Sequence, residues 1–135
     1  MSIMNIILST SLLLIPHKVN KHRHVQTTHK MDIVTVTTYK VNEFKNDING
    51  NVTSKGIKLD TINPKKLKII AISWDLKKRY KYGQKVRVMG AGIYSGIYFV
   101  QDLMNKRWKK RIDILINPDD KQMKFYKVRI FKIND

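Results

Sequence analysis

From Asp32 onward the chain breaks into short segments in which apolar residues take every second position, separated by turns only a few residues long. A period of two places alternate side chains on opposite faces of a strand, so segments of this kind predict strands with one buried face. Val34, Val36 and Thr38 alternate with Thr35, Thr37 and Tyr39, all strand-favouring types. Lys68 to Ser73, Lys85 to Met89, Ile97 to Gln101, Arg111 to Ile116 and Phe125 to Ile133 read as further strands, with a short one around Gly56 to Leu59. Trp74 to Tyr80 reads as a helical turn. Asn117-Pro118-Asp119-Asp120 reads as a helix start, with an N-cap Asn, Pro in the first turn and acids at the positive end of the dipole. Asn49-Gly50 marks a turn inside the Asn46 to Thr53 loop. The expectation is a mainly β chain of six or seven short strands and one or two helical turns, closed or nearly closed into a small barrel.

Three regions follow. Residues 1–16 hold an apolar run from Ile3 to Ile15 ended by Pro16, too short to span a bilayer comfortably but suited to the apolar part of a secretory signal. No Lys or Arg precedes the run and no small-x-small site follows it. Two readings therefore stand side by side: a signal or anchor, and a segment that packs on a protein partner in an assembly. Residues 17–31 form a polar basic linker holding all four His. His22 and His24 fit one strand face, but no further ligand spacing points to a metal site, and no cofactor is expected. Residues 32–135 form the barrel domain.

With 135 residues the chain has the size of one domain, and 42% apolar residues exclude a disordered basic tail. Lys and Arg number 27 against 10 acids, for a net charge of +17. The excess is uneven: residues 1–60 carry eight bases and four acids, residues 61–135 nineteen and six. Lys outnumbers Arg 21 to 6, a ratio that favours general attraction to polyanions over base-specific nucleic-acid reading, which leans on the Arg fork. There is no Cys, which removes disulfides, thiolate metal sites and thiol nucleophiles.

The acids are the more informative charges. A single Glu accompanies nine Asp, and three of these sit in or at the end of strand-like segments. Asp75 follows Ile69-Ile70-Ala71-Ile72-Ser73-Trp74, Asp102 follows Gly96-Ile97-Tyr98-Phe99-Val100-Gln101, and Asp113 lies within Arg111-Ile112-Asp113-Ile114-Leu115-Ile116. Asp is disfavoured in strands and seldom buried without a partner. Two explanations fit. Alternation turns Asp113 to solvent while Ile112, Ile114 and Ile116 fill the core; or the three carboxylates gather in a cleft, where one holds a proton as a general acid.

The segment Asp102-Leu103-Met104-Asn105-Lys106-Arg107-Trp108-Lys109-Lys110-Arg111-Ile112-Asp113 resembles the signature of the 3D domain family, named for its three aspartates. Ile70-Ala71-Ile72-Ser73-Trp74-Asp75 is similar to the apolar strand ending in that family's first Asp, and Tyr82-Gly83-Gln84-Lys85-Val86-Arg87-Val88 to its Gly turn and next strand. Thr37-Thr38-Tyr39 and Thr53-Ser54-Lys55-Gly56 resemble its opening strand and its Thr-x-x-Gly loop. The likeness extends over residues 34–133. It implies a double-psi β-barrel like the catalytic core of membrane-bound lytic transglycosylase A type enzymes, which cleave peptidoglycan between N-acetylmuramic acid and N-acetylglucosamine and leave a 1,6-anhydro end.

By that resemblance Asp113 is the catalytic acid and base, with Asp102 and Asp75 lining the site. Thr38, Tyr39, Lys106, Arg107, Trp108 and Arg111 would contact the glycan or another anionic wall polymer, Trp108 by stacking on a sugar face. The chain departs from the family where a Gly-rich loop is usual: here Leu103 to Trp108 leads into a run with Lys106, Arg107, Lys109 and Lys110. Nearby cations work against a carboxyl general acid. The resemblance thus implies an exported or phage virion-associated cell-wall enzyme. The competing expectation is a barrel of the same type that binds wall glycan, or serves as a structural part of a virion or envelope assembly, without catalysis. Nucleic-acid binding leaves the Asp pattern unexplained.

Overall fold

A computed structural model describes residues 12–14, 16, 30–41 and 51–134. The apolar run 3–15 and the linker 17–31 lie almost wholly outside the described residues, as does the Asn49-Gly50 turn. Six strands close into a barrel: β1 (Asp32–Lys40), β2 (Ile69–Ile72), β3 (Lys85–Met89), β4 (Gly96–Leu103), β5 (Arg111–Ile116) and β6 (Lys124–Lys132). The order around the barrel is β1-β5-β2-β4-β3-β6. Closure leaves no strand edge unpaired.

The topology contains two interlocked crossings. β5 pairs parallel with β1 and antiparallel with β2, so it lies between two strands that follow one another in the chain. β2 pairs parallel with β4 and antiparallel with β5, and so lies between the next such pair. This is the double-psi arrangement. Its consequence is local: the ends of β2 and β4 and the beginning of β5 come together at one end of the barrel.

Alternation fills the interior. Val34 and Val36, Ile70 and Ile72, Val86 and Val88, Tyr98 and Val100, Ile112, Ile114 and Ile116, and Val128 and Ile130 form one buried cluster. Leu59, Ile69 and Leu115 form a second, smaller cluster, with Tyr39, Val41, Ile57 and Leu67 packed against it. Ile69 and Leu115 alternate with interior residues, so this cluster lies on the outer face of the sheet, where the segment before β2 covers it.

Two sequence expectations are corrected. Asn117 to Asp120 is a closed turn, not a helix: the Asp120 N–H donates to the Asn117 carbonyl at 3.1 Å and the Asn117 N–H to Asp120 Oδ2 at 3.0 Å. The side-chain oxygen that would have capped a helix, Asn117 Oδ1, instead accepts the Lys65 N–H at 3.0 Å, and β6 begins at Lys124, too soon for a helix to extend. Around Gly56 to Leu59 there is only an isolated bridge, Val52 to Lys58, because the Thr53 to Gly56 turn returns the chain at once. The helical turn after β2 is present as a 3-10 turn at Trp74–Leu76, joined by two others at Pro64–Leu67 and Gly92–Tyr94. Among the described residues no helix is long and apolar enough to cross a membrane.

Candidate functional site

A break in register creates the site. β2 and β4 run in step at Ile69 with Phe99 and Ile70 with Val100, then shift so that Ala71 faces Asp102 and Ile72 faces Leu103. Gln101 is the extra residue. Without it, the alternation that buries Tyr98 and Val100 would turn Asp102 into the core. The bulge turns it outward instead, a recurrent use of bulges beside functional sites. On the other side of β2, Ala71 pairs with Asp113, which pairs in turn with Thr37 of β1. Asp102, Ala71, Asp113 and Thr37 thus form one row across four strands on the outer face. The two Asp backbones stand two strand spacings apart, roughly 10 Å. Between them lies a side chain no larger than a methyl group.

Asp102 is held on every side. Its Oδ1 accepts the N–H groups of Ser54 at 2.8 Å and Leu103 at 2.9 Å, and its Oδ2 accepts the Tyr39 hydroxyl at 3.3 Å. Ser54 is fixed in turn: its hydroxyl and that of Tyr82 are 2.9 Å apart. The Thr53 to Gly56 turn that presents Ser54 closes through the Gly56 N–H on the Thr53 carbonyl at 2.8 Å, with Gly56 at φ 87°. That left-handed value suits glycine. Asp113 is half-buried, and its Oδ1 is shielded from solvent.

Tyr39 connects the pair. Burial, then the charges of Asp102 and Asp113, then the hydrogen bond to Asp102 all push its hydroxyl well above the usual phenol range. It therefore stays a hydrogen-bond donor at any physiological pH.

Asp75 is elsewhere. It lies on the 3-10 turn after β2, exposed, in a cleft of about 490 Å³ shared with Asp32, Lys78, Arg79, Lys110 and Lys132. Partial desolvation opposes its ionisation, but hydrogen bonds from the Ser73 hydroxyl and the Lys110 N–H, with the charge of Lys109, hold the carboxyl below its ordinary range. The Lys110 N–H donates to its Oδ2 at 2.9 Å. Asp32 in the same cleft pairs with Arg79 and accepts the Tyr80 hydroxyl at 2.6 Å.

The other residues read from the sequence divide similarly. Thr38 faces inward, and its hydroxyl accepts the Met123 N–H at 2.9 Å, away from the Asp row. Trp108 carries the Arg111 guanidinium 3.8 Å from its ring centroid and that of Arg107 at 4.7 Å. Its ring thus stacks with cations of its own chain. Lys106 sits 4.8 Å over the Trp74 ring, as does Lys77. The structure therefore joins Asp102, Asp113 and Tyr39, and gathers Asp75 with the basic loop.

Sequence reasoning missed Ser54, Tyr82 and Ala71 as members of the site. The Thr-x-x-Gly turn was the signal for Ser54. The one small residue in Ile69-Ile70-Ala71-Ile72 was the signal for Ala71. Among the described residues no group of three or more His, Cys, Asp or Glu could hold a metal ion.

Fold and site together define a closed β-barrel bearing a tethered carboxylate and a second, sheltered one across a methyl-sized gap. No protein-family model matches the chain, and no curated protein matches it.

Proposed function

We propose that the barrel is a 3D-type enzyme that cleaves the glycan strands of peptidoglycan without hydrolysis. The observation that carries this reading is the bulge at Gln101, which brings Asp102 onto the same face as Asp113. Asp113 donates its proton to the glycosidic oxygen as the bond from that oxygen to the anomeric carbon of the muramic residue breaks. The resulting carboxylate then takes the proton of that sugar's own 6-hydroxyl, whose oxygen closes on the anomeric carbon to give the 1,6-anhydro end. One carboxyl group serves both steps, unlike the carboxylate pair of a hydrolase. In this reading Asp113 begins protonated, with Asp102 on the same face across Ala71.

Asp102, fixed by three donors, supplies negative charge opposite the cationic sugar ring in the transition state. Tyr39 keeps Asp102 aimed across the face. Asp75 has no contact with the reacting atoms in this reading; it organises the loop before β5 through the Lys110 N–H. The protein would act at a cell wall, exported or carried by a virion, with residues 3–15 as signal, anchor or partner-binding segment.

The test is incubation of purified peptidoglycan with the wild type and with Asp113→Asn. Release of 1,6-anhydromuropeptides by the wild type alone is expected. A folded wild type that releases none overturns the enzyme reading. A second reading is a barrel that grips wall glycan without cutting it; the basic loop in place of a Gly-rich one favours it. Retention on intact sacculi without product would establish that alternative.

A further inference from the structure

Two basic runs, far apart in sequence, meet at one end of the barrel. Lys77, Lys78, Arg79 and Lys81 follow β2, and Lys106, Arg107, Lys109, Lys110 and Arg111 precede or begin β5. Five specific interactions join the runs. The Ser73 N–H donates to the Arg111 carbonyl at 2.9 Å, and the Arg111 N–H to the Ser73 hydroxyl at 3.1 Å. The Lys110 N–H donates to Asp75, the Trp74 indole N–H donates to the Met104 carbonyl at 2.9 Å, and Lys77 and Lys106 share the Trp74 ring. The two runs are thereby held in one cap, and Lys78, Arg79 and Lys110 of it line the 490 Å³ cleft together with Lys132, Asp32 and Asp75.

The cap's arginines are already engaged. Arg79 is paired with Asp32, and Arg107 and Arg111 lie on Trp108. Lys77 and Lys106 lie on the Trp74 ring, whereas among the described residues Lys78, Lys110 and Lys132, all lining the cleft, form no ion pair. Charge-rich surfaces around a concavity raise the local concentration of opposite charge. Arg forks and free aromatic faces are what read bases, and here both are occupied, so compact ammonium groups are left to meet an anion. The cap is built to detect charge density, not sequence.

We infer that this cap is a second binding site, separate from the Asp102–Asp113 face, for a linear polymer of regularly repeated phosphodiesters. The attraction to a polyanion rests on the cap alone; the assignment to repeated phosphodiesters of a wall-attached polyol phosphate rests on the cell-wall reading above. Bound there, such a polymer would hold the barrel on the wall while the outer face engages glycan.

The experiment uses the full chain and titrates it with poly(glycerol phosphate), with duplex DNA of equal phosphate content, and with sacculi before and after removal of their phosphate polymers by hydrofluoric acid. For poly(glycerol phosphate), log affinity should fall linearly with log salt. Lys78→Glu with Lys132→Glu should weaken binding about tenfold or more at low salt and flatten the slope by about 1.4, two phosphate contacts at about 0.7 each. Lys78→Gln with Lys132→Gln should show the same loss at smaller amplitude, which covers the case of a charge-reversed chain that fails to fold. Stripped sacculi should retain less protein than untreated ones. Unchanged affinity in the glutamine pair, equal retention on both kinds of sacculi, or tighter binding to duplex DNA than to poly(glycerol phosphate) overturns the proposal. The free-polymer titration does not depend on glycan cleavage, so it separates failure of the cap from failure of the enzyme reading.

Discussion

The Asp102–Asp113 face and the Asp75 cleft are neighbours through the strands that carry them, yet they place carboxylates in opposite circumstances. On the outer face two half-buried Asp share a phenol and flank a methyl group. In the cleft an exposed Asp takes hydrogen bonds from Ser73 and Lys110 among lysines, and its carboxyl is held below its usual range. A carboxylate stabilised by cations and donors is a poor proton carrier. In the basic loop that replaces a Gly-rich one, Lys106 lies on Trp74, Arg107 lies on Trp108 and the Lys110 N–H serves Asp75.

The sharpest way to break this contrast is to neutralise one Asp from each region. Asp113→Asn should lower the yield of anhydro ends by about 10²–10⁴-fold, the range for a lost general acid and base. Asp75→Asn should stay within about fivefold, the scale of exposed charge interactions. Equal losses in the two variants would mean that Asp75 touches the reaction, and the division drawn between cleft and face would fail.

The methyl-sized gap gives the next effect. Ala71→Leu places a branched chain between Asp102 and Asp113 at a position already 4% exposed. Overpacking should cost about 1–3 kcal/mol in chemical denaturation. Glycan cleavage should fall by about a hundredfold, more than that instability explains in a chain that is still folded. Ala71→Gly, by contrast, should keep most of the activity.

This position also marks the limit of what the sequence discloses. Period-two patterning located β3 and β5 at their observed bounds, because both lie in register with their neighbours; β3 buries one clean face, and β5 adds only Leu115 on the other. Alternation also placed Ile112, Ile114 and Ile116 in the core and Asp113 opposite them. It failed at Asp102. Counted from Tyr98 and Val100, the same rule puts Asp102 inside, and only the bulge at Gln101 reverses it. A bulge is an agreement between two strands, and one strand's pattern does not contain it. The grouping of Asp75 with the other two Asp rests on their placement in strand-like segments and on the family resemblance, and the cleft that holds Asp75 depends on contacts between residues 73–79 and 104–111 that spacing does not encode.

Tyr39 offers a smaller and more selective change. Tyr39→Phe removes one donor from Asp102 and leaves the Ser54 and Leu103 N–H groups in place. A hydrogen bond to a charged group is worth about 1.5–3 kcal/mol, so cleavage should fall by roughly tenfold to a hundredfold. Because the phenol is held well above its ordinary range, it stays protonated through neutral and mildly alkaline pH. No alkaline limb near pH 10 should therefore arise from Tyr39 in the wild-type profile. A limb there that vanishes in Tyr39→Phe would show that the phenol ionises freely and does not lie sheltered between the carboxylates.

The smallest effect concerns the segment that covers the outer face. Asp60 accepts the N–H groups of Ile62 at 2.8 Å and Asn63 at 3.0 Å and pairs with Lys66 at 2.7 Å. The hydrogen bond from Lys66, then those from Asn63 and Ile62, lower its carboxyl from 3.8 to about 2. A carboxyl depressed in the folded state adds stability that is complete above its unfolded value and fades as pH falls. The contribution should thus be intact above about pH 4 and lost on descending through about pH 2. Asp60→Asn should lower the denaturation midpoint at pH 6 slightly, by the same small amount that the wild type gives up between pH 4 and pH 2, since the pair is largely exposed and the asparagine oxygen can still accept the two N–H groups. Between pH 4 and pH 2 the variant should lose less stability than the wild type, and amide exchange at Ile62 and Asn63 should lose its acid dependence. Leu115 and Tyr39 lie under this segment, whereas the Asp75 cleft does not. Acid loosening should therefore reach glycan cleavage before it reaches polymer binding at the cap, and the reverse order would show that the segment does not cover the face that cuts.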